Sequence, residues 1–329
     1  MSCVRFVRME LACLAALAFC LAGPAAAETF TTFTVPGASS TAATAIGSSG
    51  AVTGTYTDNH DKMHGFVRAA NGTITTFDPQ GSGSTQPSGI DKNGTIAGTW
   101  ADSGSVHHGF IRTHGGTITS FDPGKSADTF VAAIHGKTVG SFERGETHMI
   151  GFLRARGGGI RAFHFPGSHQ TVPTAVNSLQ QITGHYRDRQ SVVHGFIRGA
   201  DGSFVSFDPA GATSTSPTGI NRDGTVTGYY GEGEHGFVRT ADGTIVSFDV
   251  GGALVTQPVG INTDGEIAGT YVDGDQVNHG FVRDPDGTLT PIDVPDSVST
   301  VVTGINNKGA VTGFYANQDG SGGSFVRMP

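Results

Sequence analysis

The chain carries seven copies of one glycine-rich motif, in which a Gly-Phe pair opens a short strand pattern, at a spacing of 41 to 44 residues. The phenylalanines are Phe66, Phe110, Phe152, Phe196, Phe237, Phe281 and Phe325, the last of which follows Ser324 in place of Gly. Sequence periods of this size are typical of propeller blades and solenoid units. The repeat therefore constrains the fold more than any other feature of the sequence.

The first 27 residues have the pattern of a secretory signal peptide. Arg5 and Arg8 precede an apolar stretch over residues 11–22, and residues 25–27 are alanines that suit a cleavage site. The apolar stretch is too short to span a membrane. We expect residues 1–27 to be removed and residues 28–329 to form a single secreted or periplasmic repeat domain with no membrane span.

The predicted mature chain is acidic and contains no cysteine. Its 18 basic and 27 acidic residues give a formal charge of −9, and all three cysteines of the chain lie within residues 1–27. A nucleic-acid partner would require a basic surface, and disulfides or thiol catalysis would require cysteine. We therefore expect no nucleic-acid partner and no disulfide, and we expect a monomer.

Each repeat contains the signals of four short strands, which are clearest between His194 and Tyr230. Residues 194–198 alternate like a strand, Asp201-Gly202 is a hairpin turn signal, and residues 203–207 alternate again. Residues 217–221 and 225–230 form a second such pair around Asp223-Gly224. No amphipathic helix pattern occurs after residue 28, so the sequence predicts an all-β protein.

The two ends of the mature chain decide between a closed ring and an open stack. Residues 29–35 match the second strand of the repeat, and residues 323–327 match the first, so the last repeat is complete only if the ends pair. Such pairing leaves a propeller without an open edge, whereas a solenoid needs capping units. We predict a seven-bladed β-propeller of four-stranded blades, closed by pairing of the N-terminal strand with the C-terminal blade.

Three repeated positions resemble functional groups but fit structural roles better. An aromatic residue follows a Gly-x pair at Tyr56, Trp100, Phe142, Tyr186, Tyr230, Tyr271 and Tyr315. A histidine precedes Gly-Phe at His64, His108, His194, His235 and His279, and an aspartate ends the second strand at Asp78, Asp122, Asp208, Asp249 and Asp293. We interpret the aromatics as packing between sheets, the histidines as hydrogen-bonding a neighbouring blade, and the aspartates as caps of the following turn.

This combination of His-Gly-Phe, Phe-Asp-Pro, Gly-Ile-Asn-x-x-Gly and Gly-x-Tyr resembles the bacterial HAF-repeat family of extracellular repeat proteins, over essentially the whole mature chain. The resemblance implies export and a β-rich repeat fold, and it implies no catalytic residues. The third repeat departs from the pattern, with Ile150 in place of His, His135 in place of Asn and His164 in place of Asp. These departures mark either drift or a special site.

Known catalytic and metal-binding motifs are missing from the sequence. It contains neither Gly-x-Ser-x-Gly nor His-Glu-x-x-His. Asp273-x-Asp275 and Asp284-x-Asp286-Gly287 have the spacing of calcium loops, but no bidentate Glu follows at the required position. We therefore predict no catalytic motif, no cofactor and no metal, and calcium is the alternative that the sequence leaves open.

The most variable and most charged segment of each repeat is the loop that precedes the next His-Gly-Phe. Strand alternation places these loops on one face, opposite the tight Asn-Gly and Asp-Gly turns, and variable loops on a rigid scaffold commonly bind ligands. The candidate ligand-face residues are Asp58, His60, Asp61, Asp102, Glu143, Arg144, Glu146, Arg187, Asp188, Arg189, Glu232, Glu234, Asp273 and Asp275. The alternative is that these loops are simply solvated.

Three functions are compatible with this sequence. The scarcity of motifs favours a non-enzymatic module that binds a glycan or a surface protein through the loop face. The second possibility is a polysaccharide-cleaving enzyme that uses two loop carboxylates, drawn from Glu143, Glu146, Asp188 and Glu232, as acid and base or nucleophile. The third is a structural protein of the envelope or matrix.

Overall fold

A computed structural model describes residues 29–124, 128–145, 148–232 and 234–329. These residues form 28 β-strands and no helix, as the alternating sequence patterns predict. The first fourteen strands are β1 Thr29–Phe33, β2 Ser40–Ile46, β3 Val52–Thr57, β4 Met63–Arg68, β5 Ile74–Phe77, β6 Ser84–Ile90, β7 Ile96–Ala101, β8 His107–Arg112, β9 Ile118–Phe121, β10 Thr129–His135, β11 Lys137–Arg144, β12 His148–Arg154, β13 Ile160–Phe163 and β14 Gln170–Val176. The other fourteen are β15 Ile182–Arg187, β16 Val193–Arg198, β17 Phe204–Phe207, β18 Thr215–Ile220, β19 Val226–Tyr230, β20 His235–Arg239, β21 Ile245–Phe248, β22 Val255–Ile261, β23 Ile267–Val272, β24 Asn278–Arg283, β25 Leu289–Ile292, β26 Ser299–Ile305, β27 Val311–Ala316 and β28 Gly322–Met328.

The strands pair in antiparallel groups of four. We number these groups as units in chain order: unit 1 is β2–β5, unit 2 is β6–β9, and so on to unit 6, β22–β25. Unit 7 consists of β26, β27, β28 and β1. A single parallel pair, Met149 with Gln170, joins units 3 and 4 into one eight-stranded sheet.

The sequence repeat and the unit are offset from each other by two strands. The repeat from His194 to Tyr230 supplies β16 and β17 to unit 4 and β18 and β19 to unit 5. Each Gly-Phe strand therefore pairs with the Gly-x-aromatic strand that precedes it in the chain. The last repeat is incomplete for this reason, because its outer strand comes from the N-terminus.

The predicted pairing of the two chain ends is confirmed. β1 lies antiparallel to β28, from Thr29 opposite Met328 to Phe33 opposite Ser324. Units 7 and 1 also contact each other directly: the Thr303 hydroxyl donates to the Ala43 carbonyl at 3.0 Å. Ser324, the residue that replaces Gly in the seventh Gly-Phe pair, accepts a hydrogen bond from Ala43 N at 2.8 Å. This departure from the repeat therefore lies at the contact between the last and first units.

The first strand of each unit contacts the first strands of its neighbours, so these strands are the innermost. Each contains a β-bulge, and in four of them a proline precedes the shift in register, where no ladder N–H is required. Side-chain hydroxyls bridge adjacent inner strands: Thr44 donates to Pro87 O at 2.8 Å, and Thr174 donates to Pro217 O at 2.7 Å. These bonds connect neighbouring sheets around the centre of the molecule.

Each unit has its own apolar cluster, centred on the phenylalanine of the Gly-Phe pair. All seven of these rings are completely buried. The backbones pack so closely that a Cβ on Gly54 would lie 2.2 Å from Ala42 O, which explains the glycine of the Gly-x-aromatic motif. The arginine two residues after each phenylalanine is also structural: Arg112, for example, stacks over Phe77 at 4.9 Å. We did not identify this arginine as a repeated packing element from the sequence.

The antiparallel order separates two faces of the molecule. The loops between the second and third strands of each unit, such as residues 58–62, lie at the same end as the connections between units, and we call this end the loop face. The tight Asn-Gly and Asp-Gly turns lie at the opposite end, the turn face. The charged loops and the tight turns therefore lie on opposite faces, as the strand alternation in the sequence predicts. The predicted signal peptide and Glu146 lie outside the described residues, among which no helix is long and apolar enough to cross a membrane.

Candidate functional site on the loop face

A hydrogen-bonded chain of side chains recurs on the loop face, and we call it the latch. In unit 1, His64 Nδ1 contacts Asp78 Oδ2 at 2.5 Å and His64 Nε2 contacts Asp58 Oδ2 at 3.3 Å. The Thr85 hydroxyl of unit 2 donates to the other oxygen of Asp78. The imidazole also stacks on Tyr56, with ring centroids 4.9 Å apart. The latch therefore connects a loop, two strands of one unit and the inner strand of the next unit.

The latch corrects two details of the sequence interpretation. The histidine bonds to an aspartate of its own unit, and it reaches the neighbouring unit only through that aspartate. The aspartate bonds to this histidine and, in units 1, 2 and 4, to the next threonine, and does not cap a turn. The five histidine–aspartate contacts, at 2.5 to 3.0 Å, are His64–Asp78, His108–Asp122, His194–Asp208, His235–Asp249 and His279–Asp293.

Two of the latch histidines have clearly raised pKa values. Burial alone would lower the pKa of His194, but its hydrogen bonds and its attraction to Asp208 and Asp188 outweigh burial and raise it. The same balance, with Asp293 and Asp273 as partners, raises the pKa of His279. Both imidazoles lie between two carboxylates and are stabilised in the protonated form.

Four of the predicted ligand-face carboxylates have structural partners. Asp58 accepts hydrogen bonds from the backbone N–H groups of Lys62 and His60, which lower its pKa to about 2. Asp102, Asp188 and Asp273 occupy the same position in their units and also have lowered pKa values. Each closes its own loop and contacts the latch histidine. The carboxylates of these four residues are therefore engaged in contacts within the fold.

The other predicted ligand-face residues are spread around the loop face. The exposed ones are His60, Asp61, Arg144, Arg189, Glu232 and Asp275, and the half-buried ones are Glu143, Arg187 and Glu234. Glu234 hydrogen-bonds Gln257 of unit 6. Burial, and secondarily the charge of Glu234, raises the pKa of Tyr229. No contact recorded among the described residues joins two of the candidate catalytic carboxylates Glu143, Asp188 and Glu232.

In unit 3 the two aspartates of the latch are replaced by basic residues and its histidine is replaced by isoleucine. Arg144 stands at the position of Asp58, Ile150 at that of His64, and His164 at that of Asp78. A pocket of about 370 Å³ opens at this place, lined by Arg144, His148, Met149, Ile150, His164, Ser168 and His169. Ile150 and His164 stand out in the sequence as departures from the repeat, whereas the part of Arg144 in the same replacement becomes visible only in the structure.

A second unusual group lies in unit 4. His185 occupies the middle of a Gly-x-aromatic motif, where units 1, 2 and 6 have Thr55, Thr99 and Thr270. It is half-buried, and its Nδ1 is enclosed without a hydrogen-bond partner among the described residues. Burial, and secondarily the positive charge of Arg187, lowers the pKa of His185. We did not single out this residue from the sequence.

Another cavity opens on the turn face, opposite the predicted ligand face. It has a volume of about 630 Å³, and its apolar lining consists of Ile46, Ile90, Val176, Leu179, Ile220, Ile261 and Ile305. Lys92, Arg222 and His135 lie at its polar rim. The His135 ring reaches solvent, yet the surrounding atoms of the concave mouth lower its pKa by desolvation.

Within the described part of the chain, no group of three or more His, Cys, Asp or Glu side chains is arranged to hold a metal ion. Neither of the two Asp pairs with calcium-loop spacing belongs to such a group in the described residues. Asp273 accepts the backbone N–H groups of Asp275 and Val277 and also contacts His279. Its carboxylate is therefore engaged in closing a loop.

Comparison with known proteins identifies the fold. No family model and no curated protein matches the chain. Among solved structures, virginiamycin B lyase from Staphylococcus aureus aligns over 92% of this chain and 99% of its own, with a TM-score of 0.60 and 13% identity. The β-propeller domain of the Trilobed protease from Pyrococcus furiosus aligns over 86% and 94%, with a TM-score of 0.64 and 11% identity. The chain has a β-propeller fold.

A third structure of this fold is a puromycin hydrolase mutant, with a TM-score of 0.62 and 12% identity over 90% of this chain and 54% of the hydrolase. At such identities the likeness shows the fold alone. The comparisons nevertheless overturn our leading functional prediction. We predicted a non-enzymatic binding module because familiar motifs are scarce, but a lyase and a hydrolase share this fold with almost no sequence in common. That prediction is wrong, because scarce motifs do not show that a chain of this fold is non-enzymatic.

Proposed function

We propose that the protein is an exported, seven-bladed, closed β-propeller enzyme that cleaves an acidic polysaccharide by β-elimination on its loop face. Each unit is one blade in this proposal, and the β1–β28 pairing closes the ring. Export rests on the signal-peptide pattern of residues 1–27 and on the resemblance to HAF-repeat proteins. The polysaccharide is a chain whose sugars carry carboxylates.

The observation that carries the proposal is the partnerless Nδ1 of His185. Buried polar atoms without a partner are rare in folded proteins, and each requires an explanation. Burial lowers the pKa of His185, so the imidazole is neutral at pH 7 and can accept a proton. Because Nδ1 itself is enclosed, we assign proton abstraction to Nε2 of this partly solvent-accessible imidazole, which can act as a general base.

Arg187 provides the positive charge that this reaction needs. It lies two residues after His185 on β15, so both side chains extend from the same face of the strand. Its Nη1 donates to Ser191 O at 2.7 Å and its Nε donates to Gln170 at 3.3 Å, which holds the guanidinium in place. Arginine has five N–H donors, so others remain to bind a substrate carboxylate.

The proposed step balances without a co-reactant. His185 removes the proton from the carbon next to the sugar carboxylate, and Arg187 stabilises the negative charge that develops on that carboxylate. The electron pair of the broken C–H bond forms a carbon–carbon double bond, and the glycosidic C–O bond breaks. The leaving oxygen takes a proton from solvent, and His185 later returns its own proton to solvent. No water is added across the bond.

This mechanism differs from the paired-carboxylate mechanism that we considered from the sequence. Hydrolysis by two carboxylates requires both to face one cleft at roughly 5 to 10 Å. Asp188 instead accepts backbone N–H groups from its own loop and contacts His194. Because these hydrogen bonds engage the Asp188 carboxylate, it is unsuitable as an acid or a nucleophile.

The test is incubation of the purified protein with carboxylate-bearing polysaccharides, followed by mass spectrometry of the products and by their ultraviolet absorbance. We expect unsaturated products, in which the double bond is conjugated with the carboxylate. His185→Thr, which introduces the residue of units 1, 2 and 6, should fold normally and lose at least about 100-fold in kcat. Activity should persist at pH 6.5 and fall only at lower pH, because burial lowers the pKa of His185 below the ordinary histidine value of about 6.5.

The matched control is His135→Asn, which replaces another non-repeat histidine, on the turn face, with the residue found at Asn177 and Asn221. It should leave activity unchanged. Saturated products that contain oxygen from labelled water would show that the bond is hydrolysed, and they would refute elimination. No cleavage of any such polysaccharide, or full activity in His185→Thr, would refute the proposal.

A further inference from the structure

We propose that the unit 3 pocket is a separate binding site for an oxyanion group, a carboxylate or a sulfate ester carried by a ligand. The inference concerns binding and does not depend on the proposed elimination reaction. We define this oxyanion pocket by Arg144, His148, Met149, Ile150, His164, Ser168 and His169. It lies where the latch would be if unit 3 followed the repeat.

The first argument is the inversion of charge. In unit 1 this place holds two carboxylates and one imidazole, and the Asp78 carboxylate accepts from both His64 and Thr85. In unit 3 both carboxylates are replaced by potential cations, Arg144 and His164. The anion that the fold supplies elsewhere is therefore missing here, and a ligand oxyanion would have the same charge and acceptor atoms.

The second argument is the composition of the pocket wall. Besides Arg144 and His164, it includes His148 and His169, whose ring centroids are 5.8 Å apart. Among the residues that the structure describes, its lining includes no carboxylate, although the chain has a formal net charge of −8. Met149 and Ile150 add an apolar wall, and the volume of about 370 Å³ suits a group of the size of a sugar ring with its substituent.

The third argument is the local packing, which is complete without a latch. Thr171 occupies the position of Thr85, and its hydroxyl accepts from Phe165 N at 2.9 Å and contacts the Ser168 hydroxyl at 3.0 Å. Phe165 stacks on Tyr186 with ring centroids 3.8 Å apart. The junction between units 3 and 4 is thus supported by other contacts, and the cations are not required to hold it together.

The oxyanion pocket is distinct from the proposed catalytic group. Tyr186 packs on Phe165 at the junction of units 3 and 4, so strand alternation directs its neighbours His185 and Arg187 to the other face of β15. The two places are close along the backbone, since His169 N donates to Arg187 O at 2.9 Å. One long anionic ligand on the loop face could contact both.

The experiment is isothermal titration calorimetry of the whole protein with two probes, inorganic sulfate and glucuronate, at pH 5.5 in low and in high salt. We expect millimolar or tighter binding of at least one probe in low salt. Binding should weaken in high salt, because salt screens the charge of Arg144. Among the described residues, the charged and titratable side chains around the pocket are Arg144 and His148 on β11 and β12, His164 and His169 on the connection to β14, and Glu143, which alternation places on the other side of β11.

The decisive variant restores the repeat: Arg144→Asp, Ile150→His and His164→Asp together. It should abolish probe binding while leaving thermal stability equal or higher, since the three residues form a stabilising latch in units 1, 2, 4 and 6. The matched control is His279→Ile with Asp293→Asn in unit 6, which removes a latch without touching the pocket and should leave probe binding unchanged.

Three results would overturn the inference. These are no binding of sulfate or glucuronate at pH 5.5, binding that survives the restored latch, and saturable binding of Ni²⁺ or Zn²⁺ that is unaffected by either anion. The folded restored variant separates loss of the site from loss of the structure. Because the readout is binding, failure of the proposed elimination reaction would not affect the result.

Discussion

Units 1 and 3 share the antiparallel order of their four strands and a buried central phenylalanine but have different chemistry on the loop face. Phe66 and Phe152 are both completely buried at the centre of their units. In unit 1 the latch Asp58–His64–Asp78 fills the space at the loop end of the sheet, whereas in unit 3 Arg144, Ile150 and His164 leave a pocket. The core therefore determines the fold of each unit, while the residues at the latch position can change without loss of the sheet.

The largest expected effect tests whether the two cores are equivalent. Phe66→Ala and Phe152→Ala should each lower the free energy of unfolding by about 3 to 5 kcal/mol, because each removes a fully buried aromatic ring. The measurement is urea denaturation of the two variants side by side. If Phe152→Ala cost much less than Phe66→Ala, unit 3 would be a loosely packed unit and the comparison would fail.

The second prediction tests the latch against its replacement. Asp78→Ala should cost about 1 to 3 kcal/mol, since His64 and Thr85 both lose a partner. His164→Ala, at the same position in unit 3, should change stability by no more than about 0.5 kcal/mol, because His164 is exposed. Both changes in stability are measured from the midpoint of urea denaturation, with the slope of the transition unchanged. Equal losses would show that His164 has an unrecognised structural role.

The third and smallest effect is the pH dependence of the latch. The raised pKa values of His194 and His279 mean that the folded state favours the protonated imidazoles. Their stabilisation is present in full below the unfolded pKa of about 6.5 and is lost as the pH rises through the folded pKa. We therefore expect His194→Asn with His279→Asn to reduce the fall in Tm between pH 6 and pH 8, by an amount equivalent to about 1 kcal/mol or less.

The comparison with wild type isolates the latch from groups that titrate in the opposite sense. His135 and His185 have lowered pKa values, so their contribution to stability is lost as the pH falls. Those contributions are the same in both proteins and cancel in the difference. An unchanged pH profile in the double variant would mean that the two carboxylates around each histidine do not stabilise its charge.

Much of the fold could be predicted from the sequence, but little of the candidate site. The pairing of β1 with β28 was predictable because each terminal segment matches a strand of the repeat. The role of Arg144 was not, because the latch joins Asp58, His64 and Asp78 from a loop and two different strands. His185 was missed because its position in the repeat is visible while its burial is not.

The four-stranded unit and its repetition follow from the sequence alone, since strand alternation, Gly-containing turns and the Gly-Phe period are local properties of neighbouring residues. The functional candidates become visible only in the folded protein. Hydrogen-bond partners, burial and charge inversion arise between segments that are far apart in the chain. Arg144 and His164, twenty positions apart, line one pocket only because β11 and the connection after β13 lie at the same end of one sheet.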